Sequence, residues 1–316
     1  MAEIVCIGYA CADVAIRGTD LGTPFTEEFK FYDNMMLGVG GDAANEAIVM
    51  AHLGKDVKLI TGLGDDSVGD FIESVFSSAN IDTSAIHRTE SSVSSMTLVV
   101  VQKDGQRNFV IPKEYPKSSL FEPQLDAAKG ASIVSLGSIF SPPLTTADRV
   151  HRIVRELKSD KTLICADVVY TPTDPECSLE KIKDSLKYID FIFPNEEEAR
   201  GLTGKDTLDQ MADQFLAYGV KNVLIKIGKD GCFFKNKTDR FFSPCIGPKG
   251  IDTTGAGDNF AAGFITALSE GKSLKECCIF AAAVAGVGCQ AIGSNAGVKS
   301  RAQVEEFLEK YYLKEN

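Results

Sequence analysis

The chain has 316 residues, of which 33 are basic and 44 acidic, giving a net charge of −11. With 44% hydrophobic and 24% charged residues its composition is that of a globular protein, which excludes wholesale disorder. An acidic chain without a block of Lys or Arg is not expected to bind nucleic acid or an anionic membrane.

Targeting and cysteine patterns both favour a cytoplasmic protein with reduced thiols. The first residues lack a basic region followed by a long apolar core, so we expect no signal peptide. The apolar stretch 279–292 is too short for a transmembrane helix. Nine scattered cysteines, an odd number without a C-x-x-C motif, argue against a disulfide framework and against zinc. With three histidines and no G-x-S-x-G motif, a Ser-His-Asp hydrolase has little support.

Short β-branched runs alternate along the chain with stretches of helical periodicity. Strands are predicted at 4–7, 57–60, 133–136, 163–166, 191–193 and 223–227. Helices are predicted at 42–53, 68–79, 145–158, 179–187, 207–218, 257–270 and 300–313. This alternation predicts an α/β fold in which a mostly parallel sheet has helices on both faces. Because no linker or internal repeat is visible, we expect one domain over residues 1–316.

Two segments depart from the alternation. Residues 93–112 are typical of a β-hairpin that turns at Asp104-Gly105. The hairpin strands are predicted at 96–102 and 107–111. Residues 14–38 also contain short extended pieces, including 29–32, and do not fit a βαβ unit. We therefore predict that the segments 14–38 and 93–112 form a small β-sheet that covers a site as a lid.

The strongest chemical signal is the run Asp252-Thr253-Thr254-Gly255-Ala256-Gly257-Asp258, which leads into an apolar helical stretch. Glycines let backbone N–H groups approach a ligand closely, and a helix N-terminus favours an anion. Within such a site, Asp258 can accept a proton from a substrate hydroxyl while the N–H groups hold a transferring phosphoryl group. An ordinary carboxyl pKa of about 4 is adequate for this task. The alternative is a simple glycine turn with Asp258 in the first helical turn.

This run resembles the C-terminal signature of the ribokinase-like carbohydrate kinases, the PfkB family. The family's N-terminal signature is matched by Gly40-Gly41-Asp42-Ala43-Ala44-Asn45 and then by Gly64-Asp65-Asp66-Ser67-Val68-Gly69. The similarity extends from about residue 3 to 313. It implies a three-layer α/β/α sandwich with a β-lid that often dimerises. It also implies ATP-dependent phosphorylation of a sugar or nucleoside hydroxyl, with Mg²⁺.

The resemblance implies roles for individual residues. Asp258 corresponds to the catalytic base. The anion hole corresponds to Gly255, Ala256 and Gly257. The positions that bind substrate hydroxyls correspond to Asp13, Gly40, Gly41 and Asn45. Carboxylate and amide groups together suit a polyol, since they accept from and donate to neighbouring hydroxyls. Without the resemblance, Asp13 is typical of a cap or loop, and Asn45 of a polar helix face.

Two further elements resemble the nucleotide side of the family's site. In Pro194-Asn195-Glu196-Glu197-Glu198-Ala199, Asn195 and Glu198 match residues that organise Mg²⁺ and phosphates, largely through water. Mg²⁺ keeps several waters and needs few direct carboxylates. Glu196 and Glu197 are more typical of a solvated first helical turn. Lys226, Gly228 and Gly231 match a nucleotide-binding turn after a strand, although an ordinary surface turn has the same pattern.

Several positions depart from the family pattern. Ala282 stands where ribokinases often place an adenine-contacting Asn. A sugar-contacting Glu is replaced near Phe140, and a D-P-N-L-R element is reduced to 167–171, which argues against ribose and fructose as substrates. Some relatives bind K⁺ through groups that match Asp252, Thr254, Gly288, Ala291, Gly293 and a Ser where Gly297 stands here. Activation by K⁺ is therefore a further expectation.

The leading hypothesis is a kinase that transfers the γ-phosphate of ATP to a primary hydroxyl of a sugar. A nucleoside kinase of the same family is the first alternative, with Phe31, Phe109 or Phe140 against the base. A sugar-binding regulator without catalysis is the second, although such a protein has no use for Asp258 as a base. Because the lid hairpin has apolar residues on both faces, we also expect a homodimer formed through the lid.

Overall fold

A computed structural model of the chain describes residues 2–19, 30–101 and 107–313. The strands are β1 (Ile4–Gly8), β2 (Cys11–Arg17), β3 (Asn34–Gly40), β4 (Val57–Ile60), β5 (Gly62–Gly64), β6 (His87–Thr89), β7 (Met96–Val101), β8 (Arg107–Val110), β9 (Ile133–Ile139), β10 (Leu163–Val168), β11 (Phe191–Ile192), β12 (Asn222–Lys226), β13 (Cys232–Lys235) and β14 (Arg240–Ser243). The α-helices are α1 (Asp42–His52), α2 (Ser67–Ser78), α3 (Ala147–Leu157), α4 (Leu179–Leu186), α5 (Glu196–Thr203), α6 (Leu208–Ala217), α7 (Ala256–Ser269), α8 (Leu274–Gly288) and α9 (Arg301–Leu308).

An eight-stranded sheet, in the order β14-β13-β12-β11-β10-β9-β1-β4, forms the centre of the fold. The six strands from β12 to β4 pair in parallel, and they correspond to the six strands predicted from the sequence. Only β13 and β14, which the sequence analysis missed, pair antiparallel at one edge. The prediction of a mostly parallel sheet is therefore confirmed.

Helices cover both faces of this sheet, which gives three layers. Along β1, Ile4 and Cys6 pack into the core shared with α1, α2, α7, α8 and α9, whereas Val5 and Ile7 pack into the core shared with α3 to α6. Successive side chains of a strand point to opposite faces, so a continuous apolar run is expected when both faces are buried. The predicted α/β sandwich is confirmed.

Each of the predicted helices is present, with ends that differ by one or two residues in most cases. The predicted helix 300–313 is an exception, because α9 ends at Leu308 and continues as a π-helical turn over Glu309–Leu313. The sequence analysis gave no bounds for α5 or α8, although it interpreted Glu196 and Glu197 as a first helical turn. Helix α8 is apolar on most of its surface and packs against α7, so it lacks the polar face that marks an amphipathic helix.

A second sheet, in the order β3-β2-β7-β8, corresponds to the predicted lid. The predicted hairpin is present as the antiparallel pair β7–β8, and β2 pairs with β7 in parallel. The predicted turn at Asp104-Gly105 and the lid residues 20–29 lie outside the described residues. Residues 30–32 are not in a strand, and β2 begins at Cys11, before the predicted lid boundary. The lid therefore starts almost directly after β1.

The order in which strands are added to the sheet reverses at β1. The next strand of this sheet, β4, pairs on one side of β1, and β9 pairs on the other. In open parallel sheets, ligands bind outside the carboxyl ends of the strands at such a point. Helix α1 starts there and packs very closely. A Cβ at Gly137 would lie 2.6 Å from the Ala43 nitrogen, and one at Gly8 would lie 2.9 Å from the Ala43 Cβ. Glycine at these two positions thus lets the N-terminus of α1 pack against the carboxyl ends of β1 and β9.

Within the described ranges, we find no helix with both the length and the apolar character needed to cross a bilayer.

Candidate active site

The N-terminus of α7 lies beside α1 at the carboxyl edge of the sheet, and it begins at a glycine turn. Gly255 has a φ of 70°, and a Cβ there would lie 2.3 Å from the Ser294 carbonyl oxygen. Both the backbone conformation and the packing therefore require glycine. Helix α7 starts without a side-chain cap, although the Ala256 N–H donates to the Thr253 carbonyl over 3.2 Å. The turn is suited to hold an anion at its remaining N–H groups.

Asp258, in the first turn of α7, is hydrogen-bonded to α1. The Asn45 Nδ2 donates to the Asp258 Oδ2 over 2.7 Å, and this bond joins residues 213 positions apart. Burial raises the pKa of the Asp258 carboxyl well above its usual range, and Asp42 and Asp167 raise it further. Asn45 and Lys226 oppose this rise. An ordinary pKa near 4 would be adequate for a base, but this carboxyl lies among other acids and its pKa is well above that range.

Lys226 places a buried ammonium group within this set of carboxyls. Its Nζ lies 2.5 Å from the Asp167 Oδ2, and the two side chains are only 13% and 4% exposed. A Cβ at Gly257 would lie 3.0 Å from the same Nζ, so glycine there lets the ammonium approach the first turn of α7. Burial alone would lower the pKa of Lys226, but the neighbouring carboxylates raise it above its ordinary value. The group stays charged.

Asn195 and Glu198 form a capping box at the start of α5. The Asn195 N–H donates to the Glu198 Oε2 over 2.7 Å, and the Glu198 N–H donates to the Asn195 Oδ1 over 2.9 Å. Burial raises the pKa of Glu198 to about 7, although Lys226 opposes this. Asn195 and Glu198, which resemble a phosphate- and magnesium-binding element, therefore also stabilise the start of α5, because they satisfy backbone N–H donors at the helix end.

Oxygen donors that suit Mg²⁺ are present near these residues, but a closed cage is not. Besides burial, Asp167 raises the pKa of both Asp42 and Glu198, and Asp42 raises that of Glu198, so the three carboxyls lie close together. Among the described residues, no group of three or more His, Cys, Asp or Glu side chains is arranged to hold a metal ion. This donor set fits an ion that keeps most of its water, as Mg²⁺ does.

The turn after β12 contains both glycines predicted to contact a nucleotide. Gly228 has a φ of 60° and Gly231 a φ of 93°. A Cβ at Gly228 would meet nothing within 4 Å, so this residue borders open space. A Cβ at Gly231 would lie 2.0 Å from the Ser243 carbonyl oxygen. Gly231 is therefore required by its packing against β14, whether or not a ligand is bound.

Asp13 lies in the lid strand β2, directly over the glycines that precede α1. A Cβ at Gly40 would lie 2.0 Å from the Asp13 Oδ2, and one at Gly41, whose φ is 95°, would lie 2.5 Å from the Tyr9 carbonyl oxygen. Burial raises the pKa of Asp13 to about 6, while hydrogen bonds from Cys11 and Ser294 lower it. The four residues predicted to bind substrate therefore converge on the start of α1.

The loop after α8 joins these parts, and the sequence analysis gave it no role beyond the possible K⁺ site. The Gly293 N–H donates to the Asp252 Oδ2 over 3.0 Å, and the Asn295 Nδ2 donates to the Asn45 Oδ1 over 2.7 Å. Asp252 also accepts from the Thr254 N–H and hydroxyl, over 2.9 and 2.6 Å. Asp252 and Thr254 thus tie this loop to the start of α7. The only signal in the sequence is the small-residue run 293–297, which has no distinctive motif.

The fold defines the class of the protein: a three-layer α/β sandwich with a four-stranded lid beside the starts of α1 and α7. The sequence matches the pfkB family of carbohydrate kinases over residues 1–301, and the chain belongs to that family. The predicted family, fold class and enzyme class are confirmed, so the protein is a carbohydrate kinase.

Several known proteins are similar to this chain over most of its length. Ribokinase from Haemophilus influenzae is 29% identical, with 87% of this chain and 89% of that protein covered. The 2-dehydro-3-deoxygluconokinase of Bacillus subtilis is 27% identical, with 86% of each chain covered. The solved structure of Arabidopsis thaliana ribokinase with ribose and ATP is 27% identical and has a TM-score of 0.79. The similarity covers 98% of this chain and 99% of that one.

Glu46 provides a test of the burial of carboxyls in this region. It lies on α1, is 0% exposed and accepts a 2.5 Å hydrogen bond from the Ser135 hydroxyl. Burial raises its pKa to about 8. A raised pKa favours the protonated acid in the folded state. The contribution of Glu46 to the stability of the fold is therefore full below about pH 4.5 and is lost as the pH rises towards 8.

We expect Glu46→Gln to remove much of this pH dependence. Between pH 5 and pH 9, the free energy of unfolding of the wild type should fall relative to that of the variant, by a few kcal/mol. Urea denaturation at several pH values measures the difference. The exposed Glu197→Gln serves as the matched control and should follow the wild type. Parallel pH profiles for the wild type and Glu46→Gln would contradict the buried, protonated state of Glu46.

Proposed function

We propose that the protein transfers the γ-phosphate of ATP to a primary hydroxyl of a sugar or sugar derivative, within one kinase domain formed by residues 1–316. The observation that supports this most directly is the position of Asp258. Its carboxylate lies in the first turn of α7, accepts a 2.7 Å hydrogen bond from Asn45, and is close to the charged Lys226. A base and an anion site are thus adjacent, which is what phosphoryl transfer to a hydroxyl requires.

In the proposed mechanism Asp258 accepts the proton of the substrate hydroxyl as the oxygen attacks the γ-phosphorus. The backbone at Gly255, Ala256 and Gly257, together with the α7 dipole, stabilises the charge on the phosphoryl oxygens. The raised pKa of Asp258 makes it a stronger base than an ordinary carboxylate once it is ionised. The positive charge of Lys226 favours that ionised form.

The sugar is proposed to lie between the lid and the start of α1. Asp13 accepts hydrogen bonds from substrate hydroxyls, Asn45 contacts the reacting end, and Gly40 and Gly41 allow close approach of the ring. With a pKa of about 6, Asp13 is largely ionised near neutral pH and can serve as an acceptor. The lid strand that contains Asp13 therefore binds the substrate and, with β7 and β8, excludes water that would compete for the phosphoryl group.

The nucleotide is proposed to lie along the carboxyl ends of β11 and β12. Asn195 and Lys226 face its phosphates, and Gly228 and Gly231 form the turn next to it. When bound, Mg²⁺ would neutralise phosphate charge, with Glu198 holding its water ligands. Ala282, which is buried in α8, offers apolar contact in place of the adenine-contacting Asn of other family members. The ribose and ATP in the Arabidopsis ribokinase structure support ATP as the donor here.

The cysteines support a cytoplasmic protein: within the described chain none of the nine forms a disulfide, and seven are buried.

We expect Asp258→Asn to retain the fold and ATP binding but to lose roughly 10²–10⁴-fold in kcat, because the amide cannot accept the proton. The assay is ADP release with ATP and Mg²⁺ on a panel of sugars, sugar acids, polyols and nucleosides. Turnover of nucleosides alone would identify the alternative nucleoside kinase. Sugar binding without turnover of any compound would indicate a regulator. Wild-type turnover by the variant on its best substrate would contradict the role of Asp258.

The lid is also proposed to form a homodimer. Its exposed side chains include several large apolar ones, namely Met35, Leu37, Met96, Phe109, Val110 and Ile111. Leu37 is 54% exposed and Ile111 57%, and several exposed apolar residues of this size on one thin sheet are typical of an interface. Light scattering at micromolar concentration should give the mass of a dimer. Leu37→Lys should shift it towards the monomer, and a monomeric wild type would exclude this interface.

K⁺ is proposed to bind beside the anion hole, next to Asp252 and Thr254. Asp252 already links the 252–254 turn to Gly293, so a cation there would act on the start of α7. A Cβ at Gly297 would lie 2.4 Å from the Gly288 carbonyl oxygen, so backbone carbonyls rather than a side chain would serve as ligands at that end. We expect a several-fold higher kcat in potassium than in sodium buffer at equal ionic strength. Equal rates would exclude activation by K⁺.

A further inference from the structure

We infer that Asn295 is a positioning residue that fixes the orientation of the Asn45 amide toward Asp258. The inference rests on the proposed role of Asp258 as the base. Asn295 lies in the loop after α8, and its Nδ2 donates two hydrogen bonds. One goes to the Val39 carbonyl oxygen over 2.9 Å and the other to the Asn45 Oδ1 over 2.7 Å. The remaining polar atom of Asn45, its Nδ2, donates to Asp258 over 2.7 Å.

The direction of this chain of bonds follows from its two ends. A backbone carbonyl can only accept, so the Asn295 atom that faces Val39 must be its nitrogen. The same nitrogen has a second N–H for Asn45, which must therefore present its oxygen to Asn295. Asn45 is then left with its nitrogen toward Asp258, and this donor matches an ionised carboxylate. The Val39 carbonyl thus sets the polarity of the amide that contacts the base.

This orientation matters because most of the charges around Asp258 oppose its ionisation. Asp42 from α1 and Asp167 from β10 raise its pKa, and Lys226 from β12 lowers it. Asn45 adds a donor on the side of α1. If its amide were reversed, a carbonyl oxygen would face the carboxylate and would favour the protonated acid. A protonated Asp258 cannot accept the proton of the substrate.

The same loop connects the base to the lid. Val39 is 4% exposed and lies in the lid strand β3, directly before Gly40. The neighbouring Ser294 hydrogen-bonds the Asp13 side chain, and a Cβ at Gly293 would lie 3.1 Å from the Met36 Cε of β3. Through Val39, the orientation of the Asn45 amide therefore depends on the position of the lid strand β3.

We test the inference with Asn295→Asp, which keeps the shape of the side chain and removes both donors. Asn45 should then turn its nitrogen toward the new carboxylate and its oxygen toward Asp258. We expect kcat to fall about 10- to 100-fold, since misalignment of a reacting group has costs of this size. The lower pKa of the kcat/KM profile should rise by about one unit, and the KM for ATP should change little.

A new negative charge at position 295 also raises the pKa of Asp258 through space, so the test uses a double-mutant cycle with Asn45→Ala. The pKa of Asp258 is followed by ¹³C NMR of the aspartate carboxyls, with the signal assigned from Asp258→Asn. Asn295→Asp should shift this pKa more when Asn45 is present than when it is Ala. Equal shifts in the two backgrounds would overturn the inference.

Asn236→Asp is the matched control, because the Asn236 Nδ2 donates to the Asn222 Oδ1 over 3.0 Å in an amide pair outside the site. It should leave kcat and the pH profile unchanged. Asn295→Leu removes the donors without adding charge, so it replaces Asn295→Asp if that variant does not fold, and unchanged kcat in it would also overturn the inference. The NMR titration needs no turnover. An inactive wild type would therefore refute the proposed function alone.

Discussion

Burial of carboxyl groups around the Lys226 ammonium is the constraint on which the rest of this site depends. Asp42, Glu46, Asp167 and Glu198 all interact with this one amine, and Asp258 does so from the start of α7. Removing so many charges from water is costly, and each group must find a partner or stay protonated. The Ser135 hydroxyl provides such a partner for Glu46, and the Ser138 hydroxyl provides one for Asp42.

The partners of these groups come from distant parts of the chain. The hydrogen bonds from Asn45 to Asp258 and from Asn295 to Asn45 and Val39 join residues 213, 250 and 256 positions apart. They meet because the carboxyl ends of parallel strands share one edge of the sheet and because helices α1 and α7 both begin there. The site is therefore a consequence of topology, and the loop after α8 completes it by linking the base, Asp13 and the lid.

In the proposed function, phosphoryl transfer and substrate choice depend on different parts of the molecule. The proposed base Asp258, the glycine turn and Lys226 lie on elements of the sandwich. The sugar side is formed by the lid and its entry, where the Tyr9 hydroxyl bonds the Ser95 hydroxyl and the Tyr9 and Tyr115 rings pack edge to face at 5.6 Å. Relatives named for ribose and for a keto-deoxy sugar acid are similar to this chain to nearly the same degree. Overall similarity therefore does not identify the sugar.

The chain pattern was sufficient for the architecture and for the class of enzyme. The six parallel strands are continuous apolar runs, the helices around them are mostly amphipathic, and the run 252–258 is an unusual combination of glycines and a carboxylate. These are local features of the sequence, so they can be recognised without knowledge of the residues that contact them in the folded chain. The bounds of helix α8 were not predicted, because a helix buried on several sides lacks the apolar periodicity by which helices are recognised in a sequence.

Only the tertiary structure decided the charge state and the partners of the reactive groups. The sequence analysis gave no reason to expect a raised pKa for Asp258, assigned no function to Glu46 or Asn295, and could not tell that Asn195 and Glu198 cap a helix. Each of these properties depends on what surrounds a side chain: desolvation, neighbouring carboxyls and a hydrogen-bond donor some 250 residues away. By itself the sequence determined the fold and the class of chemistry, because both follow from local patterns. The electrostatics of the site followed from contacts that exist only once the chain has folded.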